Sequence, residues 1–229
     1  MATIVAPQAD VRRDTQFNLS VSARPWSDVW DIGQSLEADV FIKKGYVKDA
    51  NELAVEYRKY METSEFALVE RGEEALGSAR MIFYARGIGF KTFNDITRKR
   101  LTVDRKGYKL MDGLNLDRTM EIGTLGADER ARSRPEDAGR VAMALYGIVY
   151  RESITHGCDY GLASFDEEYA QRFSGIFGPG VKPLGPAKHY MGSPTIPVLM
   201  DLNQMYDHLS NMPGAQDAVN GFANSVVHD

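Results

Sequence analysis

Met120-Glu121-Ile122-Gly123-Thr124-Leu125, then the arginine-rich turn Arg130-Ala131-Arg132-Ser133-Arg134, then a long amphipathic stretch and Gly161-Leu162-Ala163-Ser164-Phe165, decide how this chain is read. The first and last pieces have strand composition. Ser133-Arg134-Pro135-Glu136 carries the serine and glutamate spacing of a capping box, with proline tolerated in a first helical turn, so it predicts a helix start. Ala138, Val141, Ala142, Leu145, Ile148 and Val149 then recur at helical spacing, and Gly157 supplies a stop. The unit is strand, helix, strand, with one helix face packed on a sheet.

Upstream, Phe66-Ala67-Leu68-Val69-Glu70 and Ala75 to Tyr84 flank the polar, glycine-bearing turn Arg71-Gly72-Glu73-Glu74, which predicts an antiparallel hairpin. Asp49 to Met61 has helical composition. Val40 to Val47 reads as a strand or a helix end that breaks at Gly45. Trp26 and Trp30, four residues apart, share one side of a short helix, either as core anchors or as a lid over an apolar ligand. Downstream, Asp166 to Phe177 predicts a helix ending at Gly178-Pro179-Gly180. Lys188 to Pro194 is a turn between short strands, Thr195 to Leu199 the last strand, and Asn203 to Leu209 a helix. The order implies an α/β (α+β) fold with a mixed sheet flanked by helices. Residues 1–24, polar and patternless, read as a flexible N-terminal arm, 25–210 as a single domain and 211–229 as a C-terminal tail.

The 229 residues suffice for one sizeable core. With 43% hydrophobic and 26% charged residues, and no apolar run near the ~20 residues that a membrane helix needs, the expectation is a soluble, cytoplasmic protein. The start Met1 to Pro7 lacks the basic and apolar pattern of a secretory signal. Cys158 is the sole cysteine and the histidines are scattered, so neither a disulfide nor a metal site is expected. A net charge of −5 argues against general nucleic-acid binding. Positive charge is concentrated locally at Arg98-Lys99-Arg100, Arg105-Lys106 and Lys109, either a solvated loop or a docking surface for an acidic partner.

Among residues that could carry chemistry, Glu121 should face away from the side that Ile122 presents to the core helix. It is either a solvent-facing strand residue or a carboxylate in a cleft, able to take a proton from an attacking ammonium. Arg130, Arg132, Arg134 and Arg140 gather at a helix N-terminus, where they make a charged turn or attract phosphate. Arg80, inside an apolar strand, wants a carboxylate or a phosphate partner. Cys158 beside His156 has no orienting third group and reads as incidental.

These words resemble the GNAT superfamily of acyltransferases, and within it the N-acyl amino acid synthases and the acyl-homoserine-lactone autoinducer synthases. Phe41-Ile42-Lys43-Lys44-Gly45-Tyr46-Val47 looks like the family's opening segment. Phe66 to Val69 with Gly77-Ser78-Ala79-Arg80-Met81-Ile82 looks like its hairpin, Met120 to Gly126 like its glutamate-bearing fourth strand, and Gly185 to Pro197 like its closing segment. The resemblance covers roughly residues 36–205. It implies a mixed, splayed sheet whose V-shaped opening holds a phosphopantetheine thioester. Glu121 then serves as base or positioning group, and backbone N–H groups steady the oxyanion. By position, Arg80, Gly123, Leu125, Arg130, Arg132 and Arg134 are candidates for donor binding, and Trp26, Trp30, Phe83, Phe165 and Tyr190 for the acyl and acceptor pocket. The arginine that usually follows the strand glutamate in these synthases is replaced by Gly123 and Thr124, which bears on acceptor choice. The turn before the long helix also lacks the glycine-rich loop that cradles coenzyme A pyrophosphate. The implied donor is therefore an acyl carrier protein, docking on Arg98, Lys99, Arg100, Arg105 and Lys106, or else acyl-CoA. The implied activity is acyl transfer to the amine of an amino acid or small metabolite, the alternative being a non-catalytic GNAT-like domain that binds a ligand.

Overall fold

A computed structural model describes residues 17–22 and 27–212, and the strand–helix–strand unit around Glu121 lies at the middle of its sheet. The strands are β1 (Asn18–Ser22), β2 (Ser64–Arg71), β3 (Glu74–Phe83), β4 (Thr119–Ala127), β5 (Tyr160–Asp166), β6 (Val181–Pro183), β7 (Lys188–Tyr190) and β8 (Ser193–Asp201). They run in the order β1-β2-β3-β4-β5-β8-β6, with β7 paired to β8. Every pairing is antiparallel except β4 with β5. That pair is short. Thr119 to Ile122 face Tyr160 to Ala163, after which β4 continues alone along β3 to Ala127 while β5 continues along β8 to Asp166. The two central strands therefore part beyond Ile122 and Ala163, giving the mixed, splayed sheet expected.

The helices are α1 (Asp28–Lys43), α2 (Ala50–Tyr57), α3 (Lys91–Thr97), α4 (Arg105–Asp112), α5 (Glu129–Arg132), α6 (Pro135–Thr155), α7 (Glu167–Phe177) and α8 (Leu202–Ser210). One face of the sheet packs Met81, Met120, Ile122, Ala163 and Met200 against Val141, Leu145 and Ile148 of α6, Phe173 and Phe177 of α7, and Met205 and Leu209 of α8. On the opposite face Ile82, Leu162 and Leu199 join Ala38 of α1, Leu53 and Tyr57 of α2, and Phe90. This is the period-2 alternation of a sheet covered on both sides. Cross-strand register places Ile82 opposite Glu121, Glu121 opposite Leu162 and Leu162 opposite Leu199. Glu121 is thus one carboxylate in an otherwise apolar row.

Several expectations need adjustment. Asn18–Ser22 fall inside the segment read as an arm, yet pair with β2 from Ser22↔Phe66 to Asn18↔Glu70. Of the two readings of Val40 to Val47, the helix end holds: Val40 to Lys43 close α1, and the chain turns at Gly45 with φ +72°. Ser133 does not cap α6: its hydroxyl donates to Arg130 O, and Arg134 takes the cap position with Pro135 in the first turn. Residues 97–109 are not one loop, since α3 ends at Thr97 and α4 begins at Arg105. The arm and tail outside these bounds, and Trp26, lie outside the described residues.

Candidate active site

β4 carries an extra residue where the sheet opens. Arg80 pairs with Thr124 but Met81 pairs with Ile122, which leaves Gly123 as a bulge. A Cβ at Gly123 would come within 3.1 Å of both Ile82 and Tyr57, so the position admits little beyond hydrogen. The Tyr57 hydroxyl donates to Gly123 O at 2.6 Å and fixes the bulge. Past it, among the described residues, the β4 edge has no strand partner on the β5 side. A cleft of about 270 Å³ fills that gap, lined by Gly123 to Ala127 of β4, Ser164, Phe165 and Asp166 of β5, and by Tyr146, Tyr169, Lys44, Arg132 and Arg172.

Glu121 lies at the inner end of this opening and is only 2% exposed. Its carboxylate accepts the Thr92 N–H at 3.0 and 3.2 Å and the Thr92 hydroxyl at 2.8 Å. That N–H is one of the free donors in the first turn of α3. Thr92 Oγ1 also lies 2.9 Å from Ser164 Oγ. With the threonine proton committed to Glu121, Ser164 is the donor in that contact. Burial pushes the Glu121 carboxyl up to about 7, with the Thr92 donors and the Lys91 charge pulling the other way. A carboxyl so poised holds a proton about half the time near neutrality and can exchange it.

Between Glu121 and the cleft is a small pocket of about 60 Å³, lined by Glu121, Lys91, Thr92, Asp95, Tyr46, Tyr57, Gly123, Ser164, Asp166, Tyr190, Ser193 and Thr195 among others. Lys91 is buried, with Nζ 2.7 Å from Asp95 Oδ2 and 3.2 Å from Glu56 Oε2, and it also donates to the Tyr190 hydroxyl. Tyr190 in turn donates to Asp95 at 2.6 Å. Arg100 closes the group, with contacts of 2.9 and 3.0 Å to the two Glu56 oxygens and 3.0 Å to Asp95. Asp166 accepts hydrogen bonds from the hydroxyls of Tyr46 and Ser193. On the other face of the sheet, an apolar cavity of about 30 Å³ between the sheet and α6, α7 and α8 shares Ile122 and Tyr146 with the cleft.

The sequence-named residues divide sharply. Gly123, Leu125, Arg132 and Phe165 line the cleft, and Tyr190 lines the small pocket. Arg80 does not reach the cleft. Its Nε and Nη2 grip Glu37 at 2.9 and 2.6 Å, and the guanidinium stacks over Phe66 and Tyr57 at 4.5 and 4.7 Å. Arg130 is held by Asp128 at 2.6 Å and Glu74 at 3.2 Å, and Arg134 lies 3.8 Å from Asp137; neither lines the cleft. Trp30 is fully buried edge-on against Phe66 as a core anchor. Phe83 stacks on His156 at 3.9 Å, away from the pockets. Arg98, Lys99, Arg105 and Lys106 are exposed, whereas Arg100 is turned inward. Cys158 is buried, its thiol pushed up to about 11 by that burial, which is the behaviour of an inert core residue.

Thr92, Lys91, Asp95, Asp166 and Tyr46 were not singled out in the sequence. Only Asp166 had a local signal, as an acidic residue between a strand and a helix. Glu65, Glu152 and His156 bring potential ligand atoms within 4.8 Å of one another. His156 pairs with Glu65 at 3.1 Å and Arg151 with Glu152 at 3.0 Å, so the group satisfies itself.

No family model matches the chain, and no curated protein matches its sequence. Solved structures do match. FeeM, an N-acyl amino acid synthase from uncultured soil microbes, superposes with a TM-score of 0.61 at 17% identity, over 88% of this chain and 98% of that one. The acyl-homoserine-lactone synthase LasI gives 0.58 at 13% identity, over 93% and 98%. BjaI, a CoA-dependent acyl-homoserine lactone synthase solved with SAM and isopentyl-CoA, gives 0.53 at 16% identity, over 90% and 98%. The chain has the GNAT-like fold. Within that fold, the bulge at Gly123 and the parting of β4 from β5 form the V-shaped opening, and Glu121 is the buried acid beside it.

Proposed function

We propose that this chain is an acyltransferase that moves an acyl group from an acyl-carrier-protein or acyl-CoA thioester to the amine of an amino acid or small metabolite. The observation that carries the reading is Glu121, a buried carboxyl with a pKa raised to about 7 in the small pocket that adjoins the cleft opened by strand divergence. An amine nucleophile must shed a proton as it attacks, and a base with a pKa near the working pH does this best. In this reading the pantetheine arm lies along the unpaired β4 edge, whose backbone groups can bond it as an added strand does. The same edge offers N–H groups to the oxyanion formed when nitrogen attacks the thioester carbonyl. In this reading the acyl tail passes Ile122 and Tyr146 toward the apolar cavity under α6, α7 and α8. The likeness to FeeM, LasI and BjaI supports this assignment through the shared fold.

Lys44, Arg132 and Arg172 line the outer cleft and suit the phosphate end of a donor. Exposed Arg98, Lys99, Arg105 and Lys106 suit an acidic carrier protein. Arg100 drops from that surface because Glu56 and Asp95 already engage it. Among the described residues no helix is long and apolar enough to cross a membrane. The non-catalytic alternative would be favoured by a cleft filled by Trp26, Trp30 or residues 97–109; Trp26 lies outside the described residues, and neither Trp30 nor residues 97–109 line the cleft.

The test is direct. The protein is incubated with octanoyl-CoA or octanoyl-carrier protein and pools of amines, and new amides are sought by mass spectrometry. Amide formation with either donor supports the assignment. Folded protein that yields none with any donor and amine overturns it.

A further inference from the structure

The acceptor pocket has a charge pattern that narrows the substrate. A lysine ammonium has three protons to donate, and Lys91 spends them on Asp95, Glu56 and Tyr190. It has no valence left for a substrate carboxylate. Arg100 is likewise engaged, Arg80 is locked onto Glu37 outside the pocket, and Lys44, Arg132 and Arg172 line the outer cleft rather than the small pocket. Asp166 is the opposite case. It accepts the Tyr46 and Ser193 hydroxyls, but among the described residues no cationic side chain forms an ion pair with it. A carboxylate offers about four acceptor positions, so roughly half of its capacity remains open. Asp166 also borders both the small pocket and the cleft.

We infer that the acceptor is a short diamine, or an equivalent amine with a second cationic group and no carboxylate, whose distal ammonium is held by Asp166 while its reacting nitrogen is presented beside Glu121. This rests on the acyltransferase reading above. In the transfer, the reacting ammonium gives one proton to Glu121 and attacks the thioester carbonyl. A C–N bond forms and the C–S bond breaks. The thiolate leaves and takes up the second proton released from nitrogen. The distal ammonium stays charged throughout, so the product is a mono-amide that keeps one positive charge.

Diaminobutane, butylamine and γ-aminobutyrate share a reacting primary amine and differ at the far end in carrying a positive charge, none, or a negative one. With octanoyl-CoA and octanoyl-carrier protein as donors, kcat/KM for diaminobutane should exceed that for butylamine by about 10-fold or more, the size of one charge-assisted hydrogen bond. γ-Aminobutyrate should fall below both. This ordering in the unmodified chain needs no variant. Asp166→Asn, which keeps the shape of the side chain, should then bring diaminobutane down to the level of butylamine. A carboxylate-bearing acceptor that equals or beats diaminobutane, or a diamine preference that survives in Asp166→Asn, overturns the inference. Amides formed from α-amino acids but from none of these three overturn it as well and leave the acyltransferase reading standing. No amide from any amine removes both.

Discussion

Two buried glutamates, Glu37 and Glu121, each 2% exposed, meet different surroundings. Glu37 receives a bidentate arginine from Arg80 and a hydroxyl from Thr124 at 2.5 Å, so its charge is matched by a full positive charge. Arg80 pays for its own burial through that partner, and its guanidinium is held above the usual range. Glu121 receives only neutral donors, from Thr92 and the Lys91 backbone, because the Lys91 ammonium points its protons elsewhere. One acid is paired with an arginine and ties α1 to the sheet. The other is left near the point of ionisation and is free to exchange a proton. The contrast separates a carboxylate matched by a cation from one held by neutral donors, and the second is the one we propose for the chemistry.

The contrast breaks most visibly in turnover. Glu121→Gln keeps the shape but removes the base, so turnover should fall by about 10²–10⁴-fold while donor binding persists. Rates measured alongside donor affinity check this, and unchanged turnover would remove Glu121 as the base. On stability the roles reverse. Arg80→Met leaves Glu37 buried without its cation and should cost about 3–5 kcal/mol in denaturant unfolding. A loss below about 1 kcal/mol, the level of an exposed pair, would mean that the ion pair does not hold α1.

The pH dependence of stability sharpens the comparison further. The folded carboxyl of Glu121 sits at about 7 against an ordinary value of 4.5, so between those values the native state binds more protons than the unfolded one. Its contribution is therefore fully present below about 4.5 and is lost as pH rises through 7. A gap of 7 − 4.5 = 2.5 units corresponds to roughly 3 kcal/mol. Glu121→Gln, which cannot ionise, should gain stability relative to the parent by about that amount between pH 4 and pH 8. Parallel melts of the two proteins that keep a constant separation across this range would contradict the assignment.

The face on which Glu121 lies was legible in the sequence, because Ile122 and Met120 alternate with it and a strand has no other way to place them. Arg80 was legible as needing a carboxylate or a phosphate partner, but which of the two it found was not. The clue was on α1, where Trp30, Gly33, Glu37 and Val40 make a buried stripe at helical spacing with one charge in it. A buried positive and a buried negative residue in separate apolar patterns point to each other. The bulge at Gly123 left no such trace, since an extra residue shows only against its partner strand. Thr92 was invisible for a related reason. The loop from Tyr84 to Phe90 and the short helix α3 bring it to Glu121 across 29 positions, and no periodicity encodes that distance.

Thr92 also supplies the finest test of how Glu121 is tuned. Its hydroxyl favours the charged form, as does the N–H, whereas burial opposes it. Thr92→Val removes the hydroxyl and keeps both the N–H and the side-chain shape. The loss of one hydrogen bond to a charged group, about 1.5 kcal/mol, should raise the Glu121 carboxyl by about one further unit. Because the base acts when deprotonated, the rising limb of the rate against pH should shift upward by about the same amount. Activity at pH 6 should then fall about tenfold and activity at pH 9 should hardly change. A uniform loss at both values would show that Thr92 positions the substrate rather than setting the proton affinity of Glu121.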